Sequence, residues 1–101
     1  MSELDRLIHE PARLMIVALL SAVKEVDFLY LQREGNFTKG NLSGHLMKLE
    51  ESGYIEIDKT FVGKIPRTLV RLTPQGKTAF ERYRKAMKGL LSNGASPEDH
   101  L

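Results

Sequence analysis

Between Thr38 and Ser52 two kinds of residue interleave. Leu42, Leu46 and Leu49 stand at spacings of four and three, and Lys39, Gly40, Asn41, Ser43, Gly44, His45 and Lys48 fill the places around them. At about 100° per residue the leucines share one narrow sector of a helix. Gly40, Asn41, Gly44, Met47 and Lys48 fall opposite, flanked by Ser43 and His45. Nothing in this set is arranged for making or breaking bonds. It is a set of hydrogen-bonding and charged groups on an exposed face. An amide can pair with an adenine edge, and hydroxyls and a helix N-terminus suit phosphates. A glycine inside an exposed helix costs up to about 1 kcal/mol relative to alanine, and close approach of another surface would explain one. The alternative is a tolerated surface glycine beside a half-buried core histidine; the elements on either side favour the groove-reading face.

A second polar group lies in Phe61-Val62-Gly63-Lys64-Ile65-Pro66-Arg67. Two cations flank a small turn at what reads as a projecting tip. Such a tip can lie along phosphates or enter a minor groove, or it can be a solvated hairpin whose charges keep its edges from pairing. Enzyme chemistry finds no support. There is no HExxH, no phosphate loop, no nucleophile–base pair and no metal-ligand spacing. Glu50 and Glu51 are adjacent, so they point about 100° apart and do not make a carboxylate pair. No cofactor and no enzymatic activity are expected.

The elements that would position these groups are readable from caps and periodicity. Pro11 suits the first turn of a helix running to about Val23, and its apolar run Leu14–Leu20 predicts burial on more than one side. Asp27 caps a short helix, Phe28 to Arg33, closed by Gly35. Thr38 caps the helix 38–52, which Gly53 stops. Tyr54–Asp58 and Thr68–Leu72 read as two strands joined by a glycine-containing loop. Thr73 and Pro74 open a last helix reaching about Leu91, and residues 92–101 read as a flexible polar tail. The expectation is a mainly α protein with a small β-hairpin, in the order α-α-α-β-β-α: a winged helix-turn-helix domain over residues 1–91.

The 101 residues fit one domain, with 42% apolar content and a formal net charge of only +2. The charge is unevenly spread: from Lys59 to Lys88 Glu81 is the only acid among many lysines and arginines. That basic zone can serve nucleic acid, or it can be a solvated face. The absence of cysteine excludes disulfides, thiolate metal sites and thiol switching. Leu14–Leu20 is too short to span a bilayer and does not suit a signal peptide. No membrane partner is expected and the reading is cytoplasmic, so the sequons at Asn36 and Asn41 read as chance.

The pattern Leu42-Ser43-x-His45-Leu46-x-x-Leu49-x-x-x-Gly53-Tyr54-Ile55, with Leu72-Thr73-Pro74-x-Gly76 and His9-Glu10-Pro11-x-Arg13-Leu14, resembles the MarR/ArsR type of winged-helix regulators, in particular their small single-domain prokaryotic relatives. The likeness spans about residues 8 to 90. It implies a homodimer bound to a pseudo-palindromic operator that represses or activates transcription. Helix 38–52 would enter the major groove of double-stranded DNA, with contacts from Lys39, Gly40, Asn41, Ser43, Gly44, His45 and Lys48 and with Thr38 at the cap. The wing, 61–67, would place Lys64 and Arg67 on the backbone or in the minor groove. Many relatives carry a larger, often basic residue where this chain has Gly44. Metal-sensing relatives use cysteine clusters, which this chain lacks.

Phe80, Tyr83, Met87 and Leu90 recur at spacings of three, four and three, a longer stripe than one covering helix needs. With Leu14 and Val17 of the first helix they form the expected dimer interface, and any small-molecule effector would lodge there. The alternative function is a winged-helix protein–protein interaction module in a transcription or replication assembly.

Overall fold

Each helix start is fixed by a side chain that takes up a backbone N–H left over at the helix end. In the computed structural model, which describes residues 5–94 and side chains to residue 91, Glu10 accepts from the Arg13 amide, Asp27 from Tyr30, Thr38 from Asn41 and Thr73 from Gly76, at 2.8–3.0 Å. These caps open α1 (Pro11–Ser21), α2 (Phe28–Gly35), α3 (Lys39–Glu51) and α4 (Pro74–Gly94). Strands β1 (Val26–Asp27), β2 (Ile55–Val62) and β3 (Ile65–Leu72) form one antiparallel sheet in the order β1-β3-β2. The expected order of three helices, a hairpin and a last helix holds, with one short strand added before α2.

Several boundaries differ from expectation. Helix α1 stops at Ser21, not Val23, and only Ile16, Val17 and Leu20 are buried; Met15 and Ala18 face outward, so one side of α1 is open. Helix α2 runs through Gly35, and the left-handed residue that closes it is Asn36 (φ 54°), a conformation asparagine tolerates better than most side chains. The two strands of the hairpin reach the tip. Only Gly63 and Lys64 lie between them, with Val62 opposite Ile65 and Phe61 opposite Pro66. A positive φ at Gly63 and none at Lys64 make a type II′ turn, whose twist matches the strands. Residues 92–94 continue α4 rather than starting a tail; the rest of the expected tail lies outside the described residues.

The leucines of α3 enter a core shared by every layer. Leu42, Leu46 and Leu49 pack with Ile16, Val17 and Leu20 of α1, Leu31 of α2, Val70 and Leu72 of β3, and Phe80 and Tyr83 of α4. Burying one such side chain contributes about 1.5–3 kcal/mol, so α3 is held firmly by that face and its other face is left to solvent. The end of α3 is bolted to the start of α4. The Tyr54 amide donates to the Leu49 carbonyl, the Thr73 amide to the Tyr54 carbonyl, and the Thr73 hydroxyl to the Gly53 carbonyl (3.0, 3.0 and 2.6 Å). A Cβ at Gly76 would run into the Tyr54 carbonyl, so only glycine lets α4 come this close. Outside the core, the Tyr54 hydroxyl donates to Asp5. Burial first, and that carboxylate second, push the phenol up to about 12.

Candidate nucleic-acid interface

The outward face of α3 carries Lys39, Gly40, Asn41, Ser43, Gly44, Met47 and Lys48, all exposed. A Cβ on Gly40 or on Gly44 would meet nothing within 4 Å. These two glycines are four residues apart, so they stand one above the other and lower the surface of the helix along one line. The N-terminus of α3, with its unsatisfied amides, opens on the same side and attracts negative charge.

A cleft of about 750 Å³ separates this face from the hairpin. Lys39, Ser43, Met47 and Glu50 of α3 line one wall, Ile57, Lys59 and Thr68 of the hairpin the other, with Phe28 at its end. The register explains the second wall. Ile55, Ile57, Lys59 and Phe61 alternate with Glu56, Asp58, Thr60 and Val62 across the two faces of β2. Ile55 and Ile57 turn inward to the core, so Lys59 and Phe61 lie on that same face where it extends past the core.

The opposite face of the sheet gathers three carboxylates around one arginine. Arg71 donates to Glu56 and Glu25, both at 3.0 Å, and stands 4.0 Å from Asp58. The Glu56 carboxylate, followed by Glu25, holds the Arg71 guanidinium more firmly protonated than usual. Among the described residues no carboxylate pairs with Lys39, Lys48, Lys59 or Lys64. Uncompensated lysines thus stand on α3, in the cleft and at the turn.

Two of the expected contact residues are occupied elsewhere. Arg67, beside Pro66 in the outer half of the hairpin, donates to Asp27 at 2.8 Å and ties the hairpin to the cap of α2; it is a brace, not an open wing cation. His45 is half-buried, and Arg13 donates to its Nδ1 at 3.2 Å. A guanidinium can only donate, so Nδ1 accepts and the ring proton sits on Nε2. With the Phe37 ring 6.0 Å away, His45 belongs to the α1–α3 junction. Thr38 acts as the cap. Lys39, Gly40, Asn41, Ser43, Gly44, Lys48 and Lys64 are open to solvent. Lys59 and Met47 were not among the expected contacts. The alternation of β2 places Lys59 beside α3 once its inward face is fixed by Ile55 and Ile57, and the wheel that set Met47 opposite the leucines already marked it as exposed.

The expected dimer residues divide in the same way. Val17 is 0% exposed inside its own chain, because the small α1–α3–α4 core needs it, so it offers no surface to a partner. Phe80 and Tyr83 are almost fully buried, and the Tyr83 hydroxyl hydrogen-bonds His9 Nδ1 at 2.8 Å. Leu14, Met87 and Leu91, with the rims of Phe80 and Tyr83, line an apolar groove of about 650 Å³ between α1 and α4. Leu90 is exposed beside Leu91. Among the described residues no helix is long and apolar enough to cross a membrane, and no group of histidine and acidic side chains could hold a metal ion.

Residues 12–91 match the winged helix DNA-binding domain family. An uncharacterized protein of Methanocaldococcus jannaschii is 36% identical over 78 residues, 77% of this chain and 85% of that protein. The structure of a transcriptional regulator homologue from Pyrococcus horikoshii OT3 superimposes with a TM-score of 0.83 at 27% identity, covering 87% of each chain. A MarR-family transcriptional regulator from Silicibacter pomeroyi shares the fold, with a TM-score of 0.62, 21% identity and coverage of 93% of this chain and 64% of that one.

Proposed function

The chain belongs to the winged helix DNA-binding domain family, a binding class and not an enzymatic one, and we propose that it reads double-stranded DNA sequence-specifically as a homodimer to regulate transcription. Helix α3 lies in the major groove. Asn41 and Ser43, near its N-terminus, reach base edges, while Lys39 and Lys48 meet phosphates. The hairpin follows the backbone into the neighbouring minor groove with Lys64 at its tip. The observation that carries this reading is the outward face of α3, with two aligned glycines and lysines that no carboxylate neutralises among the described residues.

The groove between α1 and α4 supports the dimer. Leu14, Met87, Leu90 and Leu91 offer apolar surface to the same residues of a second copy, as a twofold interface requires. Such a pair would hold two α3 helices about one duplex turn, roughly 34 Å, apart. A small-molecule effector, where one acts, would lodge in that groove.

Selection of genomic fragments on the protein, followed by sequencing and footprinting, tests the reading. The expected result is a shared half-repeat motif with protection on one face of the duplex, and a dimer by sedimentation at micromolar concentration. Enrichment of no motif, with equal affinity for random duplex, would overturn sequence-specific reading. A monomer both free and on DNA would overturn the dimer.

A further inference from the structure

The hairpin ends in a surface that groove reading by α3 does not use. Phe61, Val62 and Ile65 are 67%, 54% and 66% exposed, and Pro66 is exposed with them. Phe61 stands opposite Pro66, and Val62 opposite Ile65. Neighbouring pairs point to opposite faces, so Phe61 and Pro66 continue the α3-facing side and Val62 and Ile65 the other. The tip is therefore apolar on both faces. It is also narrow, since only Gly63 and Lys64 turn the chain. Scattered single apolar residues on a surface mean little, whereas a contiguous group on a projecting element marks a contact site.

Charge decides what it contacts. From Lys59 to Arg67 the hairpin contains no acid. Arg67, next to Pro66, is engaged by Asp27, leaving Lys59 on the cleft wall and Lys64 at the turn. An apolar blade between two lysines complements a ligand with an apolar interior and anionic edges. Duplex DNA has that construction, with stacked bases between phosphate rows. The blade also continues the cleft wall that faces α3, so one ligand can meet both.

We propose that the hairpin tip is an apolar wedge that enters the minor groove, parts a base step with Phe61 and its neighbours, and bends the duplex toward the major groove. The proposal rests on the reading that α3 binds duplex DNA. Wedges of phenylalanine, isoleucine or proline kink duplexes by roughly 20–90°. Parting is easiest at pyrimidine–purine steps, so such a step is expected in the selected sites where the wing would fall, although no side chain reads it by hydrogen bonding.

The test uses the full chain and duplexes carrying the selected motif. End-to-end fluorescence transfer reports the bend, and 2-aminopurine at the wing-proximal step reports unstacking. Complexes of the parent protein should be bent and the 2-aminopurine bright. The double variant Phe61→Ser, Ile65→Ser alters only exposed positions, and circular dichroism checks that it is folded. Its complexes, formed at saturating protein, should be straight and dark. Straight parent complexes that still give the α3 footprint would overturn the wedge and leave the α3 reading standing. A variant that bends DNA as the parent does would also overturn it. So would loss of self-association with the bend unchanged, which would assign the tip to a second copy of the chain. Absence of any footprint would bring down the α3 reading and the wedge together.

Discussion

Replacing Gly44 with leucine should move stability and DNA binding in opposite directions. The position is mid-helix and exposed, and a Cβ there meets nothing within 4 Å, so the fold has room for the new side chain. Leucine is the better helix former by about 0.8 kcal/mol. For a domain of this size that raises Tm by roughly 3–6 °C. Binding should behave otherwise. Gly44 lies three residues after Asn41 and four before Lys48, so a leucine there stands between them on the reading face. It would hold the helix off the groove floor and loosen the Asn41 contact, worth about 1–3 kcal/mol, together with that of Ser43. The combined loss should be about 2 kcal/mol or more per half-site, roughly 30-fold. Gly44→Ala, which adds one methyl group, should gain similar stability and lose less affinity. Thermal melts paired with titrations against operator and random duplex measure both quantities. A Gly44→Leu protein that melts higher and binds operator as tightly as its parent would show that α3 is not the reading element.

Asn41→Ala should weaken specific binding by about 1–3 kcal/mol per half-site and leave non-specific binding nearly unchanged, as competition titrations would show. Lys64→Ala should weaken binding to every duplex and reduce the slope of log K against log salt by about 0.9, one phosphate contact. Arg67→Ala should differ: its guanidinium is bound to Asp27, so the salt slope should barely change while Tm falls by a few degrees, consistent with at most about 1 kcal/mol for a partly exposed pair. Tyr54 gives a pH dependence. Its folded pKa of about 12 lies above the ordinary 10.0, so the neutral phenol is favoured by folding. Its contribution is fully present below pH 10 and is lost as pH rises from about 10 to 12. Alkaline melts should show that loss in the parent and a flatter profile in Tyr54→Phe.

The helix starts were legible because each is marked locally. Asp27, Thr38 and Thr73 are polar cap residues standing just before an apolar periodic run, and Pro74 follows the last of them. The α3 face was legible for the same reason, since its leucine spacing assigns the remaining residues to the outside. What was not legible depends on partners far apart in sequence. Arg67 looked like a wing cation because Asp27 lies 40 residues away. His45 looked like a groove contact because Arg13 lies 32 residues away. Strand β1 has two residues, too few to show a period, and Asp27 within it also reads as a cap. Pro66 masked the outer half of β3, since proline is rare inside strands. It is accommodated because it faces Phe61 at a position where the two-residue turn demands no N–H from it, and because β1 pairs only with Leu69 and Val70. Val17 was placed on an outer face because a helix apolar nearly all round leaves its buried side undefined until α3 and α4 are packed.

The clamp of Arg71 among Glu25, Glu56 and Asp58 bears on how the molecule would arrive at a duplex. A formal net charge of +2 gives little long-range pull toward a polyanion. The local separation of charge matters more: behind the sheet Glu25, Glu56 and Asp58 outnumber the Arg71 they surround, while Lys39, Lys48, Lys59 and Lys64 have no acid partner among the described residues, so the hairpin region carries a local dipole. In the field of a duplex a dipole feels a torque before it feels much net force. Screening confines this to the last nanometre or so, about 8 Å at physiological ionic strength. A molecule approaching with these carboxylates first would meet repulsion and be turned, while one presenting its uncompensated lysines would be drawn in. The gain lies in how many collisions are correctly oriented rather than in how many occur, and added salt should erode it well before it disrupts the bound complex.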